Sequence, residues 1–137
     1  MSNLAENFSM GFFSLKNKVA FVTGGNTGLG QGYVAAFAMA GADLFVTTYD
    51  EDWAETKKLV EDAGRKVVFF KADLTQKDQR QESVKACIKA YGKIDILVNN
   101  AGTIRRAPLL EYKDEDWQAV IDINLNVVYY LSQEVAK

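Results

Sequence analysis

Four short runs of consecutive apolar residues set the limits on this fold: Val19 to Thr23, Leu44 to Tyr49, Val67 to Phe70 and Ile94 to Val98. A strand with one wet face alternates apolar and polar side chains. These runs do not alternate, so each predicts a strand covered on both faces, as parallel sheets require. The stretches between them read as helices: Leu29 to Ala40, Asp52 to Ala63 and Lys77 to Tyr91, with a long final helix from Asp114 to Lys137. Gly41, Gly64 and Gly92 each stand where a helix would stop, and Asp52 is placed to cap the second one. Strands alternating with helices predict an α/β fold with right-handed crossovers. That domain is expected over residues 15–137, behind an N-terminal arm of residues 1–14. Phe8, Phe12 and Phe13 of the arm are candidates for packing on a neighbour.

Composition excludes several kinds of chemistry. The chain has no histidine and one cysteine, Cys87, so it can form neither an internal disulfide nor a Ser-His-Asp or Cys-His catalytic group. A His or Cys zinc site is nearly excluded, since Cys87 is the one such ligand in the sequence. Cys87 lies on an apolar helical stripe and reads as a buried, inert thiol. The formal net charge of −2 gives no electrostatic reason to expect nucleic acid or an anionic membrane as partner. No apolar run approaches the ~20 residues of a membrane span. The N-terminus lacks the basic start and apolar core of a secretory signal, and a cytoplasmic location is expected.

The sequence TGGNTGLG, Thr23 to Gly30, joins the first strand to the first helix. A helix N-terminus presents free N–H groups to an anion, and glycines there remove side chains that would block a phosphate. Gly24 is expected to turn the chain off the strand, Gly28 to open the approach, and Gly30 to let the helix pack closely. Asn26, Thr27 and Leu29 complete the candidate phosphate turn. A G-x-G-x-x-A match runs from Gly30 to Ala35, but it begins inside the helix and is set aside.

TGGNTGLG and the downstream NNAG, residues 99–102, stand about 75 residues apart. With Asp73 in ADLT and Asn124 in DINLN, they resemble the motifs of the short-chain dehydrogenase/reductase family, in order. The likeness covers the chain from about Leu15 to its end. It implies a Rossmann-like doubly wound parallel sheet, the first half in strand order 3-2-1-4, and a nicotinamide dinucleotide at the carboxyl ends of the strands. It also implies that Asp73 and Leu74 flank the adenine, that Asn100, Ala101 and Gly102 line the cofactor pocket, and that Asn124 is a catalytic residue which bends the last helix. The family's helix packs between subunits, so a homotetramer is expected.

After the second strand come Tyr49 and Asp50, then Glu51 and Asp52, with no basic residue between Asp43 and Glu55. An acidic group can accept from a ribose 2′-hydroxyl and repels a 2′-phosphate, which favours NAD. Thr48 occupies the place where the family commonly has its NAD-selecting aspartate. Arg105 and Arg106 admit two readings. They are a solvated pair balancing Glu111, Asp114 and Glu115, or one of them grips an anionic substrate by a bidentate fork. The longer string NNAGTIRR resembles the sugar-acid branch of the family, which implies a small-molecule carboxylate substrate. No tyrosine here has a lysine four residues later, so the family's catalytic serine and Tyr-x-x-x-Lys pair are missing. The expectation is the N-terminal half of a longer NAD(H)-dependent oxidoreductase acting on a sugar acid. The alternatives are a non-catalytic dinucleotide-binding module, or a relative acting on another ketone.

Overall fold

The structure, a computed structural model, describes residues 9–137. Phe8 and the start of the arm lie outside them; Met10–Phe13 form a short 3-10 turn in which Phe12 and Phe13 are exposed. The strands are β1 (Val19–Thr23), β2 (Asp43–Thr48), β3 (Val67–Lys71) and β4 (Ile96–Val98). All pair in parallel, in the order β3-β2-β1-β4. The helices are α1 (Gly28–Met39), α2 (Ala54–Asp62), α3 (Lys77–Tyr91), α4 (Asp114–Ile121) and α5 (Val127–Val135).

The period-2 geometry of a strand splits the apolar runs between two cores. Val19 and Phe21 of β1 and Phe45 of β2 point to one face. There they pack with Leu74, Cys87, Val127 and Leu131 beneath α3 and α5. Ala20 and Val22 with Leu44 and Val46 point to the other, against Val34 and Ala38 of α1 and Val60 of α2. The first face carries the bulk: the Phe21 and Phe45 rings lie 5.1 Å apart, and Phe45 and Phe70 lie 6.1 Å apart. Phe21 and Phe45 are fully buried, and each such side chain contributes about 1.5–3 kcal/mol. The second face is mainly Val and Ala beside Leu44, so the small-residue helix α1 can lie close to the sheet. Cys87 is buried as expected, and desolvation pushes its thiol up to about 12.

Three sequence expectations need correction. β4 begins at Ile96, because Asp95 turns its carboxylate back to the chain and Ile94 packs below the strand. The helix expected from Asp52 starts at Ala54, with Trp53 rather than Asp52 at the cap. The long last helix is interrupted by a π-turn over Asp122–Asn126. That wider turn shifts the phase of everything after it. A straight helix would carry Trp117, Val120, Ile121, Val128, Leu131 and Val135 on one stripe. Instead Ile123, Val127, Leu131 and Val135 meet the core, while Trp117 is 60% exposed.

Carboxylates pin the lower ends of the strands. Asp95 accepts the Val19 N–H at 2.8 Å while its own N–H donates to the Val19 carbonyl at 2.9 Å. Asp43 does the same work between β2 and β3, accepting from Arg65 at 2.8 Å and from the Lys66 N–H at 3.0 Å. The Lys93 ammonium at 2.9 Å, then the Val19 N–H, hold the Asp95 carboxyl below its ordinary value. A depressed folded-state pKa means that the contribution is present above the unfolded carboxylate range and lost as pH falls through the folded value. The urea midpoint of Asp95→Asn is therefore expected to lie below wild type at neutral pH. The two should converge as pH drops below about 4; a constant gap down to pH 2 would contradict the assignment.

Candidate functional site

Connections leave β1 and β4 in opposite directions at their carboxyl ends, so the backbone there has no strand to continue its ladder. Thr23 closes the gap. Its hydroxyl accepts the Asn100 N–H at 3.0 Å and the Ala101 N–H at 2.9 Å, and donates to the Val98 carbonyl at 3.3 Å. One hydroxyl thus uses its donor and both acceptor positions. The Asn100 side-chain amide returns the tie, donating to the carbonyls of Thr23 and Gly24 at 3.0 Å each. Next to it, the Asn99 amide donates to Ser132 of α5 at 3.0 Å.

The glycine-rich turn is moulded onto this knot. Gly24 has φ +63° and Gly28 φ +55°, values that a side chain resists. A Cβ on Gly30 would stand 2.0 Å from the Gly24 carbonyl oxygen and 2.5 Å from the Asn100 amide nitrogen. Gly30 therefore packs the helix onto the turn itself rather than onto the sheet. Gly25, which the spacing argument passed over, is as tightly fixed: its Cβ would meet Val46 at 2.7 Å and Val34 at 2.8 Å. A Cβ on Gly28 would meet nothing within 4 Å, so the N-terminus of α1 faces open space.

Above the strand ends lies a cleft of about 670 Å³. Gly24, Asn26, Thr27, Leu29 and Gly30 form one wall, and Tyr49 and Asp50 a second. Asp73 and Leu74 form a third, with Asn100, Ala101 and Gly102 facing them. Thus every residue singled out as cofactor-lining borders one cavity, except Gly28. Arg105 lines it and Arg106 does not. Thr47, Thr48, Ala72, Thr75, Thr103, Ala119 and Ile123 also line it, and the sequence argument passed over all of them as lining residues. Ala72, Thr75, Thr103 and Ile123 adjoin motif residues already named, Thr47 and Thr48 precede Tyr49 on β2, and Ala119 sits on α4, where no motif pointed.

Asn26 ties the first two walls. Its amide donates to the Asp50 carboxylate at 2.7 Å, and its carbonyl accepts from Thr56 of α2 at 3.0 Å. Thr48 is buried; its hydroxyl donates to the Asp50 carbonyl at 2.6 Å and accepts the Trp53 indole N–H at 2.8 Å. Trp53 stacks on Phe69 with ring centroids 5.1 Å apart. The Thr48 position thus shapes the β2 end, and Asp50 presents the acidic group. Lys71, in register with Thr48, brings a cation near this end from β3, and Glu51 faces it at 3.8 Å. No window of sequence around β2 contains that lysine.

Asn124 sits in the π-turn, exposed, and its amide pairs with the backbone of Thr103. It accepts the Thr103 N–H at 2.8 Å and donates to the Thr103 carbonyl at 2.9 Å. Gly102 leaves room for this, since a Cβ there would stand 3.0 Å from the Asn124 oxygen. Single-turn π-bulges recur at functional sites. Arg105 is ion-paired with Asp116 at 3.5 Å, not with Glu111, Asp114 or Glu115. Among the described residues no group of three His, Cys, Asp or Glu side chains is placed to hold a metal ion. No helix among them is long and apolar enough to cross a membrane.

The sequence profile described as short chain dehydrogenase matches residues 18–137. The chain belongs to that family. It is 45% identical over 130 residues to an uncharacterized oxidoreductase, YgcW, of Escherichia coli (strain K12), covering 95% of this chain and 50% of the relative. It is 42% identical over 121 residues to the 2-dehydro-3-deoxy-D-gluconate 5-dehydrogenase of Bacillus subtilis (strain 168), covering 88% of this chain and 47% of that one. A putative short-chain alcohol dehydrogenase from Sinorhizobium meliloti 1021 superposes with a TM-score of 0.86 at 33% identity, covering 90% of this chain and 49% of that structure. The chain spans about half the length of the curated relatives it matches. The doubly wound fold and the order β3-β2-β1-β4 are as the family likeness implied.

The knot generates a prediction about stability. Thr23→Val keeps the shape but orphans the Ala101 N–H and leaves the Asn100 N–H only its 3.1 Å bond to the Val98 carbonyl. Each unpaired buried donor costs about 1–3 kcal/mol, so a clear fall in the urea midpoint is expected. Thr23→Ser should restore most of it. A valine variant as stable as wild type would show that the hydroxyl is dispensable.

Proposed function

We propose that this chain binds NAD(H) in the cleft above the strand ends and serves an oxidoreductase that interconverts a secondary alcohol and a ketone on a sugar acid. The observation that carries the reading is the open N-terminus of α1. Glycines clear the approach to its N–H groups, and a phosphate pair bound there would meet the positive end of the helix dipole. The residues fit such a group: the cleft is large enough for an elongated ligand, and each wall offers polar atoms beside apolar surface.

In this reading Gly24, Asn26, Thr27, Gly28, Leu29 and Gly30 seat the pyrophosphate, and Tyr49 and Asp50 face the adenosine ribose. Asp73 and Leu74 border the adenine, while Asn100, Ala101 and Gly102 leave room for the nicotinamide half. The cofactor, when bound, supplies hydride transfer. Asn26 holds the Asp50 carboxylate by one oxygen, which leaves the other to accept from a ribose hydroxyl. Asp50 and Glu51 oppose a 2′-phosphate, and Glu51 offsets Lys71, a cation near the end of β2. Asn124 fixes the Thr103 backbone at the cleft floor and is the catalytic position present in this chain. The exposed Trp117, Leu125 and Tyr129 on α4, the π-turn and α5 suit a subunit face of a homotetramer.

Relatives named 2-dehydro-3-deoxy-D-gluconate 5-dehydrogenase support a sugar acid of that type as substrate. Arg105, on the cleft wall, is the candidate for its carboxylate. With the protein and a substrate panel, kcat/KM with NADH is expected to exceed that with NADPH by at least about tenfold. Equal or inverted values would overturn the cofactor assignment. Arg105→Ala is expected to raise KM for a sugar acid by about tenfold and for a neutral ketone much less. Equal effects on both would remove the arginine from substrate binding.

A further inference from the structure

Arg80 lies in the first turns of α3 with 7% of its surface exposed, and among the described residues it has no carboxylate partner. Its Nη1 donates to the carbonyls of Leu74 at 2.7 Å and Thr75 at 2.9 Å. The ring of Tyr130 on α5 covers the guanidinium at 5.1 Å, and Nε is buried without a hydrogen-bond partner. A buried charge held only by carbonyls and a ring is costly to keep. An apolar side chain would fill the same core-facing place on the helix without that cost.

What the guanidinium grips is the loop between β3 and α3, the third wall of the cleft. The rest of the loop is braced locally. Asp73 accepts from the Thr75 N–H at 3.0 Å and from its hydroxyl at 2.7 Å. The Asp73 N–H donates to Gln79 at 2.7 Å, and the Ala72 N–H continues the ladder to Thr48 at 2.8 Å. None of these bonds holds the carbonyls of Leu74 and Thr75. The N–H groups of those two peptides bond to Asp73, from Thr75 to its carboxylate and from Gln76 to its carbonyl at 3.0 Å, while both carbonyls are held from α3 by Arg80.

We propose that Arg80 is a positioning residue. It holds the Asp73–Thr75 loop in the shape that receives the adenine end of the dinucleotide, and Tyr130 transmits the position of α5 to that loop. The inference rests on the dinucleotide reading above. A loop fixed before binding spares the ligand the cost of ordering it, so losing the clamp weakens binding without touching the reacting end. Lysine cannot replace the arginine, because it has no planar face to lie against Tyr130 and no rigid fork.

The experiment measures AMP and nicotinamide mononucleotide binding separately, with KM and kcat for NADH, in the wild-type, Arg80→Lys and Tyr130→Leu proteins. Arg80→Lys is expected to weaken AMP by about tenfold and nicotinamide mononucleotide by less than about twofold, with KM for NADH rising more than kcat falls. Tyr130→Leu is expected to weaken AMP by about threefold, and it tests the same clamp should Arg80→Lys not fold. AMP binding unchanged in the variants, or both halves weakened in step, would overturn the inference. A wild-type protein that bound neither half would instead remove the dinucleotide reading, and this inference with it.

Discussion

The hydroxyl of Thr23, bonded to two N–H groups and one carbonyl of the strand beside it, is the contact on which the candidate site depends. Two parallel strands that part company leave unpaired backbone groups at the point of parting. Water would satisfy those groups but would leave the crevice unshaped. A threonine on one strand and an asparagine on the other satisfy them within the protein and set the floor of the cleft at a fixed height. The Asn100 amide also holds the Gly24 carbonyl, against which Gly30 packs. The start of α1 is thereby indexed to the segment after β4 through Asn100, 76 positions beyond Gly24.

Each wall of the cleft is fastened by a different means. Asn26 and Asp50 join the glycine turn to the end of β2, and the stacked Trp53 supports that end from below. Arg80 joins the β3 loop to α3 and α5. Asn124, offset by the π-turn, joins Thr103 to the last helix. The opposite ends of the strands are clamped by Asp95 and Asp43, so the sheet is held at both ends while the cleft stays open.

Strands, helix ends and the glycine turn were legible because each leaves a local trace. A doubly buried strand shows consecutive apolar residues, and Gly41 and Gly64 follow helices in left-handed conformations that other residues resist. The π-turn left no trace in residue type, since Asp122–Asn126 has ordinary helix-compatible residues; only the family likeness at DINLN implied a bend there, and the phase shift that moved the core stripe from Val128 to Val127 was not legible. Gly25 was hidden beside Gly24 because only the facing Val34 and Val46 make it necessary. Thr23, Arg80 and Lys71 act through partners brought in from other elements, and a linear reading sees residue types rather than those partners. Arg105 and Arg106 were indistinguishable by type; the backbone places only the first on the cleft wall.

The most direct test follows backbone amide resonances of the isotope-labelled protein as NADH is added. The account expects Gly28, Leu29 and Gly30 at the start of α1 to shift together with Ala101 and Gly102 beyond β4, all saturating on one binding curve. Shifts confined to other surfaces, or none at these five amides at saturating nucleotide, would contradict it.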